Sequence, residues 1–209
     1  MTAAPAMGWQ VRAVTDREEV AAFLRTDRLY AAYALGDLPA AERRRATWAL
    51  AYDHDGRPRG LAMQNLGLPP QPLFLMGDPA ACREVLATTV RPRYAFVQAR
   101  DDLTPAFADL YRVDFPSSLL RMTVTRSTFV PHAGGAERLG PADVGDLNRL
   151  YQLGIGGGLP ASVLEDGIYY GVRVGGRLVA AAGTHVINRA EGIGVVGNVL
   201  THADHRGRA

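Results

Sequence analysis

At 209 residues the chain is long enough to bury a substantial core, as one large domain or two small ones. Its 47% hydrophobic and 21% charged content excludes a disordered chain, and no apolar run reaches the roughly 18–20 residues that span a bilayer. A formal charge of +2, from 23 basic and 21 acidic residues, is too small a field to hold nucleic acid.

The single cysteine, Cys82, forms no internal disulfide, which fits a reducing cytoplasm. The opening MTAAPAMGWQ has no basic stretch followed by an apolar core, so no secretory leader is expected. Every basic residue is arginine, a bias that GC-rich coding produces. The Arg43-Arg44-Arg45 run has no interleaved aromatics and reads as a solvated face.

In chain order, Thr15 to about Phe23 reads as a helix: Thr15 is placed to cap it, Glu18 follows three residues on, and Val20, Phe23 and Leu24 form an apolar stripe. A second helix is expected from about Asp27 to Leu35, stopping at Gly36 with Pro39 beyond. The period then changes to two. Thr47–Tyr52 and Gly60–Leu66 read as strands around an Asp55-Gly56 turn, and Pro72–Met76 as a third strand. Ala80–Thr88 reads as a helix, Tyr94–Gln98 as a strand, Pro105–Tyr111 as a short helix and Ser118–Thr125 as another strand. The stretch Pro131–Gly135 is rich in turn formers and is the expected linker.

Beyond it the order repeats. Pro141 suits a first helical position, and Val144, Leu147, Leu150 and Tyr151 mark one helix face, ended by the glycines of 154–158. Those glycines read equally as a helix terminator or as a loop bordering an acceptor groove. Pro160–Glu165 is a short helix. Ile168–Val174 and Arg177–Val186 are strands joined by Gly175-Gly176, and Gly192–Thr201 is a nearly all-apolar strand, expected to be buried on both faces. Gly56-Arg57 and Gly176-Arg177 lie 120 residues apart, as do Met76-Gly77-Asp78 and Val196-Gly197-Asn198. The repetition points to two related halves, 1–130 and 137–209, joined by 131–136.

The chemistry is concentrated in the last segment, Gly197-Asn198-Val199-Leu200-Thr201-His202-Ala203-Asp204-His205-Arg206-Gly207-Arg208-Ala209. A strand ends, a short polar turn follows, and Arg-Gly-Arg stands where a helix can begin. Such a turn aims several backbone N–H groups at one point, and a helix start adds a positive dipole end, so the pattern is a receptor for phosphate.

This segment resembles the GNAT superfamily of acyl-CoA N-acyltransferases, whose signature is a strand followed by Arg/Gln-x-x-Gly-x-Gly/Ala at a helix start. Asn198 to Arg208 is similar to the NVxTHPxxRGRG run of a bacterial branch related to glycine acyltransferases and FR47-like proteins. Gly183-Thr184-His185 and the phrase Ala32 to Leu38 (AYALGDL) resemble that branch too. The resemblance covers most of 137–209 and the first half only loosely.

The resemblance implies an α/β (α+β) fold with two tandem GNAT-like halves, mixed sheets flanked by helices, the second half being incomplete and the one that binds cofactor. It implies that the backbone of Val199, Leu200 and Thr201 bonds the pantetheine arm of acetyl-CoA like an added strand. The amides of Gly207, Arg208 and Ala209 would take the pyrophosphate, with Arg206 at the mouth of the loop. A backbone amide near Leu200 or Thr201 would polarise the thioester under direct attack by an amine. Ala209 stands where the signature has its first glycine, and the sequence stops there, so a chain cut inside the pyrophosphate loop and inactive as it stands is the expectation. After Met76 the first half has no such signature, and it is expected to serve as a structural partner.

The family's usual base, a glutamate four residues before Val199, corresponds to Val195, which is no base. Glu191 reads as a solvated turn residue, and His185 and His202 as hydrogen-bonded structural residues, so no catalytic residue is assigned. His202 and His205 form an HxxH with no third ligand, and no metal is expected. There is no G-x-S-x-G, and the glycine run at 154–158 follows a helix, which argues against a Rossmann or P-loop site.

The expected activity is transfer of an acetyl or related acyl group from acyl-CoA to a small-molecule or peptide amine. The expected protein is cytoplasmic, monomeric or homodimeric, with no nucleic-acid or membrane partner. A non-catalytic CoA-binding or interaction module of the same fold is the alternative, and a fragment with an exposed sheet edge is a third.

Overall fold

The computed structural model describes residues 8–36, 38–39, 45–67, 70–131, 134–154, 156 and 158–207. The chain is a mixed α/β protein in two compact units, Met1–Met122 and Thr123–Ala209, each with one sheet flanked by helices. Among the described residues no helix is long and apolar enough to cross a membrane.

In the first unit, strands β1 (Gln10–Ala13), β2 (Ala46–Tyr52), β3 (Pro58–Asn65), β4 (Pro72–Gly77) and β5 (Phe96–Gln98) lie side by side in that order. The first four are antiparallel and β5 joins β4 in parallel. Residues alternate across β2 as the pleat requires. Ala49 and Ala51 face the cluster built with helix α3 (Pro79–Thr88) through Cys82, Val85 and Leu86. Trp48 and Leu50, equally buried, take the other face. On that face the Tyr52 hydroxyl donates to Glu19 of helix α1 (Arg17–Leu24) at 2.6 Å.

Local chemistry sets the helix starts. Asp16, not Thr15, caps α1: its carboxylate accepts from the amides of Glu18 and Glu19. A carboxylate adds charge at the positive end of the helix, which a hydroxyl does not. Asp78 caps α3 in the same way, accepting from Ala80 at 2.8 Å and Ala81 at 3.0 Å, with Pro79 in the first turn. The helix expected over Asp27–Leu35 is shorter: a 3-10 turn at Arg25–Asp27 precedes α2 (Ala32–Gly36). A 3-10 helix at Asp101–Ala106, with Pro105 inside it, stands in place of the helix expected over Pro105–Tyr111.

The strand expected over Ser118–Thr125 is not formed. Those residues have no regular structure, and Leu119, Leu120 and Met122 are 83%, 97% and 91% exposed. The β-propensity is there, but among the described residues no strand pairs with this segment. Of the expected linker, His132 and Ala133 lie outside the described residues; Pro131, Gly134 and Gly135 are exposed.

In the second unit, β6 (Glu137–Arg138), β7 (Tyr169–Val174), β8 (Arg177–Asn188) and β9 (Ile193–Thr201) form an antiparallel sheet in chain order. The β7–β8 turn is Gly175-Gly176, with φ of +55° and +78°, the two-residue hairpin connection read from the sequence. A 3-10 turn at Pro141–Asp143 leads into α4 (Val144–Tyr151), and α5 (Ser162–Asp166) follows. Leu147, Leu150 and Tyr151 of α4 meet Leu164, Tyr169, Leu178 and Ala181 in one core. Gly156, at φ +74°, returns its amide to the Tyr151 carbonyl at 3.0 Å and closes α4, so the glycine run terminates the helix. Ile155 and Gly157 lie outside the described residues.

The two units share the order strand, helix, helix, three strands. Gly56 and Gly176, 120 residues apart, both take positive φ, but the first hairpin loop runs from Asp53 to Arg57 and the second is Gly175-Gly176 alone, and the third strands differ as well. There β4 ends at Gly77, whereas β9 continues past Gly197 to Thr201.

Candidate functional site at the end of the ninth strand

Among the described residues strand β9 lies at the edge of its sheet, bonded to β8 alone. None of its residues is fully buried, and Val196 and Val199 are 67% and 65% exposed, which corrects the expectation of a strand covered on both faces. An apolar run reports β-propensity as well as burial, and here only the face toward α4 is covered: Leu200 packs against the core there, with a branch beside Gly154.

The strand is also bent. Gly197 stands opposite Gly183 and Leu200 opposite Ala181, so Asn198 and Val199 together face the single residue Ala182. This is a β-bulge, and Asn198 takes φ +50° within it. A second irregularity, with the extra residue at His185, lies one step along β8. The ring of His185 is stacked over the α-carbon of Gly197, where a methyl group would stand 2.4 Å from its Cδ2.

Buried phenols hold the first bulge. Tyr151, at the end of α4, donates its hydroxyl to the Asn198 carbonyl at 2.6 Å. The Asn198 side-chain amide donates to the Tyr169 hydroxyl at 3.0 Å. Burial pushes the Tyr151 phenol up, with the nearby Tyr169 adding to the shift, so the group stays protonated and remains a donor. Gly197-Asn198, a turn-forming pair inside an apolar strand, is the sequence signal for the bulge alone, not for the phenols that hold it.

The expected cofactor residues that are described fall together. Thr201 pairs with Ala180, and its carbonyl accepts from Arg206 Nε at 3.0 Å, drawing the arginine back over the turn. The turn itself is a 3-10 helix at Ala203–His205, followed by Gly207 at φ +66°. Arg208 and Ala209 lie outside the described residues, as do Asp37, Arg43 and Arg44.

His202 is committed locally: Nδ1 accepts from the Asp204 amide at 3.3 Å and Nε2 lies 3.2 Å from Arg177 Nη2. Its ring meets that of His205 edge to face at 5.8 Å. Among the described residues no group of three or more His, Cys, Asp and Glu is gathered to hold a metal. Glu191, expected as a solvated turn residue, is instead buried in the β8–β9 turn, where its backbone amide donates to the Asn188 side chain at 3.1 Å.

No protein-family model matches the chain, and no curated protein matches it. Solved structures similar to it include a protein described as a GNAT-family acetyltransferase from Novosphingobium aromaticivorans. That similarity is 33% identity over 38% of this chain and 36% of that one, with a TM-score of 0.33. Another is the GCN5-related glucosamine N-acetyltransferase region of a fungal multi-domain GH3 β-N-acetylglucosaminidase. It shows 14% identity over 97% of this chain and 32% of that one, with a TM-score of 0.46. The chain thus spans about a third of the length of each.

Proposed function

We propose that the second unit is the cofactor-binding part of a GNAT-type N-acyltransferase, moving an acetyl or related acyl group from acyl-CoA to a primary amine. The observation that carries this reading is the bulged edge strand running into a tight polar turn: β9 with its break at Asn198 and Val199, then Gly207 at positive φ. The phrase Asn198 to Arg208 supplies the resemblance, and the geometry is compatible with it. An edge strand has backbone groups on its outer side to bond an extended pantetheine arm, as an added strand would.

In this reading Val199, Leu200 and Thr201 line the arm, and Arg206 with the amides of Gly207, Arg208 and Ala209 takes the pyrophosphate. The amine nitrogen attacks the thioester carbonyl and a C–N bond forms. A bulge amide stabilises the oxyanion. Collapse breaks the C–S bond, CoA leaves as the thiolate, and the amine's surplus proton passes to solvent or to the leaving sulfur. No side chain is assigned as the base.

A non-catalytic CoA-binding or interaction module of the same fold is a second reading, favoured by Val195 standing where the family usually has its glutamate. Calorimetric titration of acetyl-CoA into the full gene product, followed by a thiol-release assay with a panel of amines, separates the two. Saturable binding with amine-dependent CoA release supports the enzyme, and binding without release supports the module. No binding overturns the enzyme and the CoA-binding module and leaves the interaction module.

A further inference from the structure

The hydrogen bond that holds the bulge also sets the direction of its amide. The peptide unit joining Asn198 to Val199 is planar and trans, so its C=O and N–H point in opposite directions. Its carbonyl is held by Tyr151 Oη at 2.6 Å. The Val199 N–H is therefore directed away from Tyr151 and from the helix that carries it.

The hold is braced on a second side. Asn198 Nδ2 bonds the Tyr169 hydroxyl, and the Tyr169 ring is seated on Gly183 of the neighbouring strand. Tyr151 and Tyr169 are each 1% exposed, so neither hydroxyl has water as an easy substitute partner.

We propose that Tyr151 is a positioning residue: by holding the Asn198 carbonyl inward, it aims the Val199 N–H outward as the donor that polarises the thioester carbonyl of a bound acyl-CoA. The donor role rests on the acyltransferase reading; the aim of the amide does not. The sequence resemblance placed this amide near Leu200 or Thr201, and the peptide geometry moves it to Val199.

Tyr151→Phe is the decisive variant, read in two ways. Without ligand, the Val199 amide shift and the Asn198 carbonyl-carbon shift are followed by NMR. Both should move, while the core amides of Leu147 and Leu164 keep their shifts and their protection from hydrogen exchange. With ligand, kcat should fall about 10- to 100-fold, a part of what complete loss of an oxyanion donor costs. Affinity for free CoA, which has no acyl carbonyl, should stay within about twofold of wild type on the same grounds.

Unchanged shifts at Asn198 and Val199, or an unchanged kcat, overturns the proposal. Absence of both acetyl-CoA binding and turnover in the wild-type protein overturns the acyltransferase reading and the donor role with it, while the shift result separately decides whether Tyr151 sets the aim. If Tyr151→Phe does not fold, Asn198→Gly keeps the positive φ at no steric cost and removes the tie to Tyr169. It should move the Val199 shift and lower kcat by less.

Discussion

The ring of Tyr169 lies directly on the α-carbon of Gly183, so closely that a methyl group built there would stand 2.0 Å from its Cε1. Glycine is required at this point of β8 because a buried ring on β7 crosses over it to bring its hydroxyl to β9. Gly183→Ala should therefore cost about 1–3 kcal/mol through overpacking, read as a lowered urea midpoint. The cost should shrink in a Tyr169→Leu background, where the ring is gone. Full additivity of the two substitutions would show that the ring is not what constrains Gly183.

Asn198 offers a sharper comparison, because its backbone and side chain can be separated. At φ +50° an alanine bears the left-handed strain of about 1–2 kcal/mol, whereas glycine bears none. Both lose the bond to Tyr169. Asn198→Ala should thus be less stable than Asn198→Gly by about 1 kcal/mol, measured by denaturant unfolding at one pH. Equal stability would mean that the bulge relaxes once the side chain is gone.

Arg173 on β7 gathers three carboxylates: Nε to Glu137 at 2.6 Å, Nη1 to Asp146 at 2.6 Å and Nη2 to Asp143 at 2.7 Å. The hydrogen bond from Arg173 is the largest influence holding the Asp146 carboxyl below its ordinary range. A carboxylate depressed in the folded state stabilises fully above its unfolded pKa, about 3.9, and loses that contribution as pH falls through its folded value. Arg173→Gln should accordingly lower stability most at neutral pH. The gap from wild type should narrow between about pH 4 and pH 2, in urea midpoints taken across that window. A gap independent of pH would place the role of Arg173 in packing instead.

Cys82 is fully buried in α3, and burial pushes its thiol up to about 12. The thiolate is the reactive form, so the native protein should resist a thiol reagent at pH 8 and react promptly once unfolded. Rapid labelling of the native state would reveal local opening of the first unit's core.

Much of this architecture could be read from residues whose local chemistry is decisive. Gly175-Gly176 fixes a hairpin because both positions need positive φ, and the α4 stripe of Leu147, Leu150 and Tyr151 follows from helical spacing. Ser118–Thr125 shows the opposite case: its β-formers gain nothing without a partner strand. At the site, the order of residues from Asn198 to Gly207 was visible, and so was a turn after a strand. The roles of Tyr151, Tyr169 and Gly183 were not. They depend on a helix end, a ring and a flat backbone meeting from three separate segments, and no local pattern encodes that meeting.

The cap of α3 has a consequence for the first unit. A helix start at the end of a strand is a place where an outside anion can settle, yet here the chain brings its own. The Asp78 carboxylate already occupies the amides of Ala80 and Ala81. A phosphate arriving there would meet a tethered competitor of its own sign, present at an effective concentration no free ligand matches. The first unit is thus self-plugged at the end of β4, and its helix start works as a fastening rather than a receptor.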